Sequence, residues 1–551
     1  MALLEAKNIT FHYPDQPRKA IDNISFQIEQ GEFIVLCGPS GSGKSTLLRL
    51  LKREIAPHGK WTGDLFFQNQ AISHFSSEQL AQSIGMVFQD PENQIVMDQV
   101  MEELVFGLEN IGTPTDEMRK KVAEMIHFFG LENLLHKRTH ELSGGQKQLL
   151  NLASVLLMEP QVLLLDEPTA QLDPIAAKDF IGMLHRMNEE FGITVIIAEH
   201  RLEELFALAD RVLVLEQGKK KHDGSPRKII REIGMNPSNN MYSYLPSSAL
   251  LYLEQAHAIK EEEIPLTIKE GKRWVGKLKI ETIQQDVETP SFPKPLVTMK
   301  GIDFQYERNQ KKILDNLSME IYEGEWFSIV GANGTGKSTL LRIMDGLQKP
   351  QRGEIVYKGK KVKGPLPIEM GYLPQNPKLF FLQETILDEL TEIAKKQNLA
   401  DREAKINHLL ETFNLTELKN RHPYDISGGE VQKAALAGVM LSNPSILLID
   451  EPTKGLDPET KRRLGNLLKA LQKNGLTIVM VTHDIEFAAQ YATRCGMMFQ
   501  GNITVTASPD KFFRGNAFYT TVINRITRGS HVPDVLTVEE ARKVWHVLGM
   551  S

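Results

Sequence analysis

The sequence has few of the residues that would cross-link it or carry it through a membrane. Only two of its 551 residues are cysteines, Cys37 and Cys495, which excludes a disulfide framework and a four-thiolate metal site. The longest apolar run, Ala434–Leu441, is far shorter than the ~20 residues of a membrane-spanning helix, so no transmembrane segment is expected. The first residues, MALLEAKNIT, lack the basic stretch and apolar core of a signal peptide.

Basic residues are not in excess either. The chain has 64 lysines and arginines against 70 aspartates and glutamates, whereas proteins that coat duplex nucleic acid usually carry a basic surplus. Apolar residues make up 41% and charged residues 24%, which is typical of a globular protein. The composition therefore predicts a cytoplasmic protein, and the length fits about three or four domains of ~100–200 residues.

What the sequence does contain is a long internal repeat. GPSGSGKST at Gly38–Thr46 returns as GANGTGKST at Gly331–Thr339, an offset of 293 residues. VLLLDEPT at Val162–Thr169 returns as ILLIDEPT at Ile446–Thr453, an offset of 284. Because solenoid repeats span only ~20–50 residues, this period indicates two whole domains in tandem.

The repeat divides the chain into four segments. These are a first domain over 1–225, a linker over 226–295, a second domain over 296–510 and a tail over 511–551. Ser247–Glu263 in the linker and Leu536–Leu548 in the tail have the pattern of capped helices, with Thr537 and Glu540 at capping-box spacing. The prolines of TPSFPKPL predict an extended connector. Both segments are expected to serve packing or dimer contact, with regulation as the alternative.

Each copy begins with a glycine-rich loop between a predicted strand and a predicted helix. The glycines let backbone N–H groups turn towards phosphates at the helix N-terminus, where the helix dipole is positive. In this motif the lysine reaches the β- and γ-phosphates, and the hydroxyl after it binds Mg²⁺. The predicted ATP-binding residues are Gly38, Pro39, Ser40, Gly41, Ser42, Gly43, Lys44, Ser45 and Thr46, and Gly331, Ala332, Asn333, Gly334, Thr335, Gly336, Lys337, Ser338 and Thr339. Cys37 and Cys495 are expected to be small buried apolar residues, with a redox switch as the alternative.

Two acidic residues end the second buried strand of each copy. Asp166 and Glu167 follow VLLL, and Asp450 and Glu451 follow ILLI. Ligands bind at the carboxyl ends of strands in open α/β sheets, so these acids are expected to face the phosphate loop. The first acid of each pair would hold Mg²⁺ together with Ser45 or Ser338, and the second would act as general base on the attacking water. A helix-capping acidic pair is the alternative.

A histidine ends the next predicted strand in both copies. TVIIAEH ends at His200, and TIVMVTH ends at His483. A single histidine after a strand is usually structural. Its recurrence favours a contact with the γ-phosphate and with the catalytic carboxylate instead.

LSGGQ at Leu142–Gln146 returns as ISGGE at Ile426–Glu430. With this motif in place, about 430 of the 551 residues resemble ATP-binding cassette (ABC) ATPases. The resemblance implies an α/β fold with two tandem P-loop NTPase (RecA-like) domains, each with an antiparallel β subdomain and a helical signature subdomain. It also implies that the cassettes pair head to tail, so that each signature closes on the ATP of the other cassette. The signature residues are Ser143, Gly144, Gly145, Gln146, Ser427, Gly428, Gly429 and Glu430.

Other positions carry over from the resemblance one by one. Tyr13 and Tyr306 lie 25 residues before the first glycine of their loops and match the aromatic residue that stacks on adenine, with a core tyrosine as the alternative. Gln89 and Gln375 match the glutamine that contacts Mg²⁺ and the attacking water. These residues complete the expected catalytic set around each nucleotide.

Two further features bear on how the cassettes pair. Asp173 in QLDP and Asp457 in GLDP match the loop that crosses the interface between cassettes. The second signature ends in Glu430 where the first has Gln146, which adds a carboxylate near one nucleotide. We expect both sites to remain competent, because each copy keeps the lysine, the two acids and the histidine.

Among two-cassette proteins the sequence is most similar to the ATPases of energy-coupling-factor (ECF) importers. Phe88–Gly112 resembles the glutamine loop and following helix of that group, and Ala198–Leu205 and Tyr372–Pro377 resemble its fused members. The resemblance implies a peripheral ATPase at the cytoplasmic face of the cell membrane, with an integral-membrane coupling subunit and a membrane substrate-binding subunit as partners and no nucleic acid. The cargo would be a vitamin or vitamin precursor, such as hydroxymethylpyrimidine or thiamine, or a transition metal ion.

In such a transporter, ATP-driven closure would reach the membrane through a groove beside each glutamine loop. Asp90–Gln94 and Asn376–Pro377 are expected to line the two grooves, with simple helix-start turns as the alternative. Two other functions stay open. One is a soluble ABC ATPase that acts on ribosomes or nucleic acid, although this chain has DEPTAQLD and DEPTKGLD rather than the DEPTNHLD of such translation factors. The other is a scaffold that binds ATP without turnover, against which the two intact glutamates argue.

Overall fold

Both copies of the repeat begin with alternating sequences that form half-buried strands. In Ile21–Glu29 the side chains of Ile24, Phe26 and Ile28 are buried and the residues between them are exposed, as expected for a sheet covered on one face. The structure, a computed structural model, describes residues 2–14, 16, 18–282, 294–307, 311–362 and 370–550. Most of the predicted TPSFPKPL connector lies outside these residues.

The strands next to the phosphate loops are continuously apolar instead. All five side chains of Phe33–Cys37, Val162–Asp166 and Thr194–Ala198 are buried, which is the pattern of parallel strands covered on both faces. The predicted strand before each loop and the predicted strand before each acidic pair are therefore present. The second copy repeats this pattern in Trp326–Val330 and Ile446–Asp450.

The chain divides into two compact units, and each holds one copy of the repeat. The first comprises Met1–Leu253 and Ala258–Thr267, and the second comprises Glu254–His257 and Ile268–Ser551. The strands of the first unit are β1 (Ala2–His12), β2 (Ile21–Glu29), β3 (Phe33–Cys37), β4 (Lys60–Phe67), β5 (Gln70–Ala71), β6 (Ile84–Val87), β7 (Val162–Asp166), β8 (Thr194–Ala198), β9 (Arg211–Glu216) and β10 (Lys219–Gly224). Its helices are α1 (Lys44–Leu51), α2 (Ser77–Ser83), α3 (Val100–Asn110), α4 (Thr115–Phe129), α5 (Gly144–Leu156), α6 (Pro174–Phe191), α7 (Leu205–Leu208), α8 (Pro226–Gly234) and α9 (Ser247–Gln255), the last of which ends in the second unit.

The second unit repeats this order of elements. Its strands are β11 (Leu278–Thr282), β12 (Pro295–Phe304), β13 (Leu314–Tyr322), β14 (Trp326–Val330), β15 (Arg352–Tyr357), β16 (Lys360–Val362), β17 (Met370–Leu373), β18 (Ile446–Asp450), β19 (Thr477–Thr482), β20 (Arg494–Phe499), β21 (Asn502–Ala507) and β22 (Trp545–Met550). Its helices are α10 (Ile268–Val275), α11 (Lys337–Met344), α12 (Ile386–Lys396), α13 (Arg402–Thr412), α14 (Gly428–Met440), α15 (Pro458–Lys473), α16 (Ile485–Tyr491), α17 (Pro509–Gly515), α18 (Val522–Thr527) and α19 (Val538–Val544). No described helix is both long and apolar enough to span a membrane.

Each unit contains two main sheets. In the first unit a four-stranded antiparallel sheet has the order β2-β1-β4-β5, and a six-stranded sheet has the order β10-β9-β3-β8-β7-β6, in which only β10 runs antiparallel to its neighbour. The second unit has the corresponding orders β13-β12-β15-β16 and β17-β18-β19-β14-β20-β21. Helices α3 to α5 and α12 to α14 form the helical segment that ends in each signature helix. The predicted fold class is confirmed.

Register in the parallel sheet brings distant residues to one edge. Asp166 at the end of β7 pairs with Ala198 at the end of β8, and β8 in turn lies beside β3. Since the carboxyl ends of the three strands are aligned, the phosphate loop after β3, Glu167 after β7 and His200 after β8 emerge together. Asp450 and Val481 pair in the same way in the second unit.

Both predicted helices outside the cassettes are shorter than the sequence pattern indicated. Helix α9 ends at Gln255, and Glu261–Glu263 form a separate 3₁₀ turn. In the tail, Thr537 caps α19 by accepting a hydrogen bond from the Glu540 N–H at 3.1 Å, but that helix ends at Val544. The residues after it continue as β22, because they pair with β11 rather than with their own preceding turn.

Linker and tail share a sequence pattern that lies outside the phosphate-binding motifs. LTIKEGKRW at Leu266–Trp274 parallels LTVEEARKVW at Leu536–Trp545. Each stretch forms a helix followed by a strand, and the two strands, β11 and β22, pair antiparallel. Helix α10 packs on α18, where a Cβ atom on Gly271 would lie 2.8 Å from the Ile526 side chain. The repeat therefore includes an appended module after each cassette, which comprises helices α8 to α10 with β11 in the first copy and helices α17 to α19 with β22 in the second. From Ile268 onwards the linker belongs to the second unit.

Two glycines in the corresponding helices α6 and α15 are expected to respond oppositely to substitution by alanine. Gly182 in α6 has open space where a Cβ would lie, whereas a Cβ on Gly465 in α15 would overlap the ring of Tyr491. Gly182→Ala should stabilise the fold by about 0.5–1 kcal/mol through helix propensity, and Gly465→Ala should destabilise it by about 1–3 kcal/mol through overpacking. Urea unfolding midpoints measure both effects, and equal shifts of one sign would contradict the helix packing described.

Candidate nucleotide-binding sites

The first phosphate loop connects β3 to α1, and its shape requires glycine. Gly38 has φ 150°, and a Cβ there would overlap the carbonyl oxygen of Leu215. The Lys44 ammonium, at the start of α1, donates to the carbonyl oxygens of Gly38 at 2.9 Å and of Pro39 at 3.2 Å. The lysine thus folds back over its own loop, where it faces the position predicted for phosphates.

The second loop has the same construction. Lys337 donates to the carbonyl oxygens of Gly331 at 2.9 Å and of Ala332 at 3.0 Å. A Cβ on Gly331 would lie 2.5 Å from the carbonyl oxygen of Met498, so glycine is required here too. Both loops therefore present a buried ammonium group at the N-terminus of a helix.

The hydroxyl after each lysine meets the first acid of the pair. Ser45 donates to Asp166 at 2.8 Å, and Ser338 bonds to Asp450 in the second unit. Burial raises the pKa of both carboxyl groups, and the serine hydrogen bonds oppose that shift. One oxygen of Asp450, Oδ1, is buried without a hydrogen-bond partner among the described residues. A hydroxyl and a carboxylate with a spare oxygen suit Mg²⁺, which prefers oxygen ligands.

The second acid of each pair sits on an unusual backbone. Glu167 has φ 45° and Glu451 has φ 50°, in the left-handed region that side-chain-bearing residues rarely adopt. Their N–H groups are held by the carbonyl oxygens of Ala198 and Val481, each at 2.9 Å. Backbone strain of this kind is typical of functional sites, and here it holds both carboxylates at the edge beside the phosphate loop.

In the first unit the Glu167 carboxylate contacts the side chains of two residues of the predicted site. His200 Nε2 lies 2.9 Å from one carboxylate oxygen, and the Gln89 side-chain amide donates to the other at 3.0 Å. Three residues from three different strand ends therefore meet at one carboxylate. The contact between His200 and Glu167 agrees with the expected contact of this histidine with the carboxylate, whereas the bond from Gln89 to Glu167 was not expected.

In the second unit Glu451 has different partners. His483 approaches through Nδ1 at 2.7 Å and also donates its backbone N–H at 3.1 Å, and the Lys337 ammonium lies 3.9 Å away. Burial works to raise the pKa of Glu451, but the hydrogen bond and charge of His483 outweigh it, so the pKa lies below its ordinary value. Gln375 is exposed at the end of β17, and among the described residues it makes no bond to Glu451.

The two predicted adenine-stacking tyrosines lie beside the helices that follow the loops. Tyr13 shares a hydrogen bond with the Thr46 hydroxyl at 3.0 Å, and Tyr306 shares one with Thr339 at 3.2 Å. Each ring also meets a phenylalanine edge-on, with ring centroids 4.9 and 5.0 Å apart. Tyr306 is 51% exposed and Tyr13 is half-buried, so both rings are accessible to a ligand.

The signature motifs begin helices α5 and α14. Ser143 caps α5 by accepting from the Gln146 N–H, whereas the Ser427 hydroxyl donates to the Glu430 carboxylate at 2.7 Å. A Cβ on Gly144 would come no closer than 3.6 Å to another atom, and one on Gly428 would meet nothing within 4 Å. The fold of each unit therefore does not require glycine at these two positions. Glycine would be required there if a ligand approached the backbone closely.

The other predicted interface and groove residues act locally as helix caps. Asp173 accepts from the Ala176 N–H at 2.9 Å to begin α6, and Asp457 accepts from the Thr460 N–H at 2.8 Å to begin α15. Asp90 and Asn376 cap the short 3₁₀ turns that follow the glutamine loops. Their predicted roles between cassettes and towards a membrane partner stay predictions.

Three buried glutamates near the sites were not recognised from the sequence. Glu103 accepts from the N–H groups of Val96 and Met97, and Glu389 holds the corresponding segment of the second unit. Glu199, next to His200, accepts from both the N–H and the hydroxyl of Thr169. Glu103 and Glu389 could have been found from the sequence, because each is an acid on the otherwise apolar face of its helix, α3 or α12, and it recurs in both copies.

The cysteines are buried in both units. Burial raises the pKa of the Cys37 thiol to about 12 and also raises that of Cys495. A thiol held neutral and away from solvent reacts poorly, so the geometry fits the apolar role rather than a redox switch.

Comparison with known proteins identifies the family. A sequence profile of the family "ABC transporter" matches residues 21–170 and 314–454. A "Putative ABC transporter ATP-binding protein" of Bacillus anthracis is 46% identical over 545 residues, which cover 98% of each chain. The "Putative HMP/thiamine import ATP-binding protein YkoD" of Bacillus subtilis is 32% identical over 93% of this chain and 92% of its own.

One solved structure covers both cassettes. A chain in the crystal structure of the complex of archaeal ribosomal stalk protein aP1 and archaeal ribosome recycling factor aABCE1 aligns over 91% of this chain and 90% of its own. The TM-score is 0.57 at 22% sequence identity, which supports the fold alone.

Each phosphate loop is expected to bind one nucleotide independently of its counterpart. Lys44→Ala should reduce the nucleotide bound per chain from two to one, because the ammonium that faces the phosphates is lost. Lys337→Ala is the matched variant of the second loop, and the double variant should bind none. Equilibrium dialysis with radiolabelled ATP measures the stoichiometry, and two nucleotides bound to Lys44→Ala would remove that lysine from the site.

Proposed function

This chain is an ATP-binding protein of the ABC transporter family with two cassettes, and from that premise we propose that it hydrolyses ATP at two sites to drive import of a small molecule. The observation that carries the proposal is the doubled catalytic constellation. In each unit a lysine, a serine–aspartate pair, a glutamate and a histidine converge at the carboxyl edge of one parallel sheet. A scaffold that only binds ATP would need no glutamate held in this strained position.

In the proposed mechanism, the loop N–H groups and Lys44 hold the β- and γ-phosphates of ATP, and Tyr13 stacks on the adenine. Ser45 and Asp166 would hold Mg²⁺, which neutralises charge on the phosphates when bound. Glu167 accepts a proton from the attacking water, while His200 and Gln89 orient its carboxylate. Lys337, Ser338, Asp450, Glu451 and His483 act correspondingly at the second site.

Closure between cassettes completes the proposed cycle. Ser427 and Gly428 would approach the ATP of the first loop, and Ser143 and Gly144 that of the second. The surroundings of Gly144 and Gly428 support this role, because neither unit itself fills the space where a Cβ would lie. Loss of the γ-phosphate on hydrolysis would remove the shared contacts and let the pair open.

An importer of the ECF type is the transport class that we propose. Its support is the printed function of the 32% identical relative, HMP/thiamine import, together with the resemblance of Phe88–Gly112 to the glutamine loop of that group. The chain would then lie at the cytoplasmic face of the cell membrane and contact an integral-membrane coupling subunit and a substrate-binding subunit. Exposed apolar side chains after the glutamine loops, Val96 (66%) and Leu382 (80%), offer a surface for a coupling helix.

Turnover should depend on the two glutamates. Glu167→Gln with Glu451→Gln should lower ATP hydrolysis at least about 100-fold while nucleotide binding persists, because the amide cannot accept the proton of water. Phosphate release measures turnover. The matched control is Glu189→Gln, an exposed carboxylate of α6, which should leave the rate unchanged. A double variant with normal turnover would exclude these glutamates as general bases.

Transport should depend on the same chemistry. A strain that lacks the gene should lose uptake of radiolabelled thiamine or hydroxymethylpyrimidine, and the wild-type gene should restore it where Glu167→Gln/Glu451→Gln does not. If the strain instead loses uptake of cobalt or nickel, the imported substrate is a metal ion and the proposed ATP-driven mechanism is unchanged. Unchanged uptake of all these substrates, with the chain pelleting with ribosomes, would favour the soluble ABC ATPase and overturn the importer proposal.

A further inference from the structure

A glutamate follows each catalytic histidine by three residues and is not used in the mechanism above. These residues are Glu203 after His200 and Glu486 after His483, at equivalent positions of the two copies. Both carboxylates face the start of a helix that lies outside the cassette, in the appended module. The appended modules are thereby tied to the histidine loops.

Glu203 contacts the start of α9 with both carboxylate oxygens. Its carboxylate accepts the Ser247 N–H at 2.8 Å and the Ser247 hydroxyl at 3.0 Å, and it is also bonded by the Ser248 N–H. Burial raises the pKa of Glu203, and these hydrogen bonds oppose that shift. Ser247 is the first residue of α9, so one buried acid caps the appended helix from the histidine loop.

A second contact joins the same two segments. The ring of Tyr244, which is 3% exposed, lies 6.4 Å from the His200 imidazole, centroid to centroid. Nδ1 of His200 is buried and has no hydrogen-bond partner among the described residues, so no second hydrogen bond fixes that imidazole ring. Its position depends on Glu167 on one side and on the segment 242–248 on the other.

The second unit has a connection at the equivalent position. Glu486 accepts the Val522 N–H at 2.8 Å, and Val522 begins α18. Helix α18 follows its cassette in the tail as α9 follows the first cassette in the linker. An acid at the same position caps an appended helix in both copies. This recurrence favours a role that the two sites share over the capping of one helix alone.

We propose that Glu203 is a positioning residue for the first catalytic site, which holds the His200 loop to α9 so that the histidine and the appended module move together. Glu486 does the same for His483 and α18. The role rests on the proposed ATPase function. Displacement of His200 from its approach to the phosphate would slow the chemical step without weakening ATP binding, because the Lys44 ammonium and the loop N–H groups that hold the phosphates lie on a different element, between β3 and α1.

The test separates positioning from simple helix capping. Glu203→Ala and Glu203→Gln are compared with Ser225→Ala, which removes the cap of α8 in the same appended module; within the described part of the chain, the Ser225 hydroxyl bonds to the Lys228 N–H and not to the histidine loop. The measurements are kcat and KM for ATP, and hydrogen exchange of the peptide spanning residues 242–255 with and without ATP. Ser247→Ala removes the hydroxyl donor from the helix side and serves if Glu203→Ala fails to fold.

For Glu203→Ala we expect kcat to fall about 10- to 100-fold with KM unchanged, and the ATP-dependent change in exchange to disappear. Glu203→Gln, which keeps one accepting oxygen, should retain an intermediate rate, and Ser225→Ala should match the wild type in kcat. Equal kcat for Glu203→Ala and Ser225→Ala, or an unaltered exchange response, would overturn the proposal. Failure of the wild-type chain to hydrolyse ATP would instead overturn the proposed function.

Discussion

In-register parallel pairing of the central strands is the constraint on which each unit depends. Because β7 and β8 end level with each other beside β3, residues more than 120 positions apart in the chain meet at one edge. The hydrogen bond from Ser45 to Asp166 spans 121 positions. A shift of one residue in any of these strands would turn the acids into the core and leave the phosphate loop without its partners.

The two sites are alike in composition and different in detail. Glu167 is held by His200 Nε2 and Gln89, whereas Glu451 is held by His483 Nδ1 and lies near Lys337. The signatures differ as well. In the second copy the Ser427 hydroxyl donates to the Glu430 carboxylate, and the first copy has a glutamine, Gln146, at that position. Duplication has therefore kept the chemistry of the site while the hydrogen bonds around it have diverged.

The appended modules link the catalytic edge to the regions between and after the cassettes. Helices α10 and α19 begin in similar sequences, and their following strands pair within the second unit. Glu203 and Glu486 connect the other end of each module to a histidine loop. Each histidine loop is thus hydrogen-bonded, through its glutamate, to a helix outside the cassette.

Local patterns accounted for most of the cassette. Glycines at Gly38 and Gly331, apolar strands that end in acids and recurrent histidines could be read without coordinates, because each motif lies within a few residues and its spacing reflects one strand and one loop. The end of α19 at Val544 could not be read this way. Helical periodicity continues past that residue, and only pairing with a strand 250 or more positions earlier ends the helix.

The sequence by itself determined the fold class, the duplication and the residue types that gather at the carboxyl edge of each sheet, since these depend on short motifs and on hydrophobic patterning. Tertiary structure decided which atoms meet. It selected Nε2 in one histidine and Nδ1 in the other, and it joined Glu203 to α9. Among the described residues it also placed Gln89, but not Gln375, on the glutamate that follows the acidic strand. Such contacts depend on ångström-scale positions set by packing of distant segments, which no local pattern encodes.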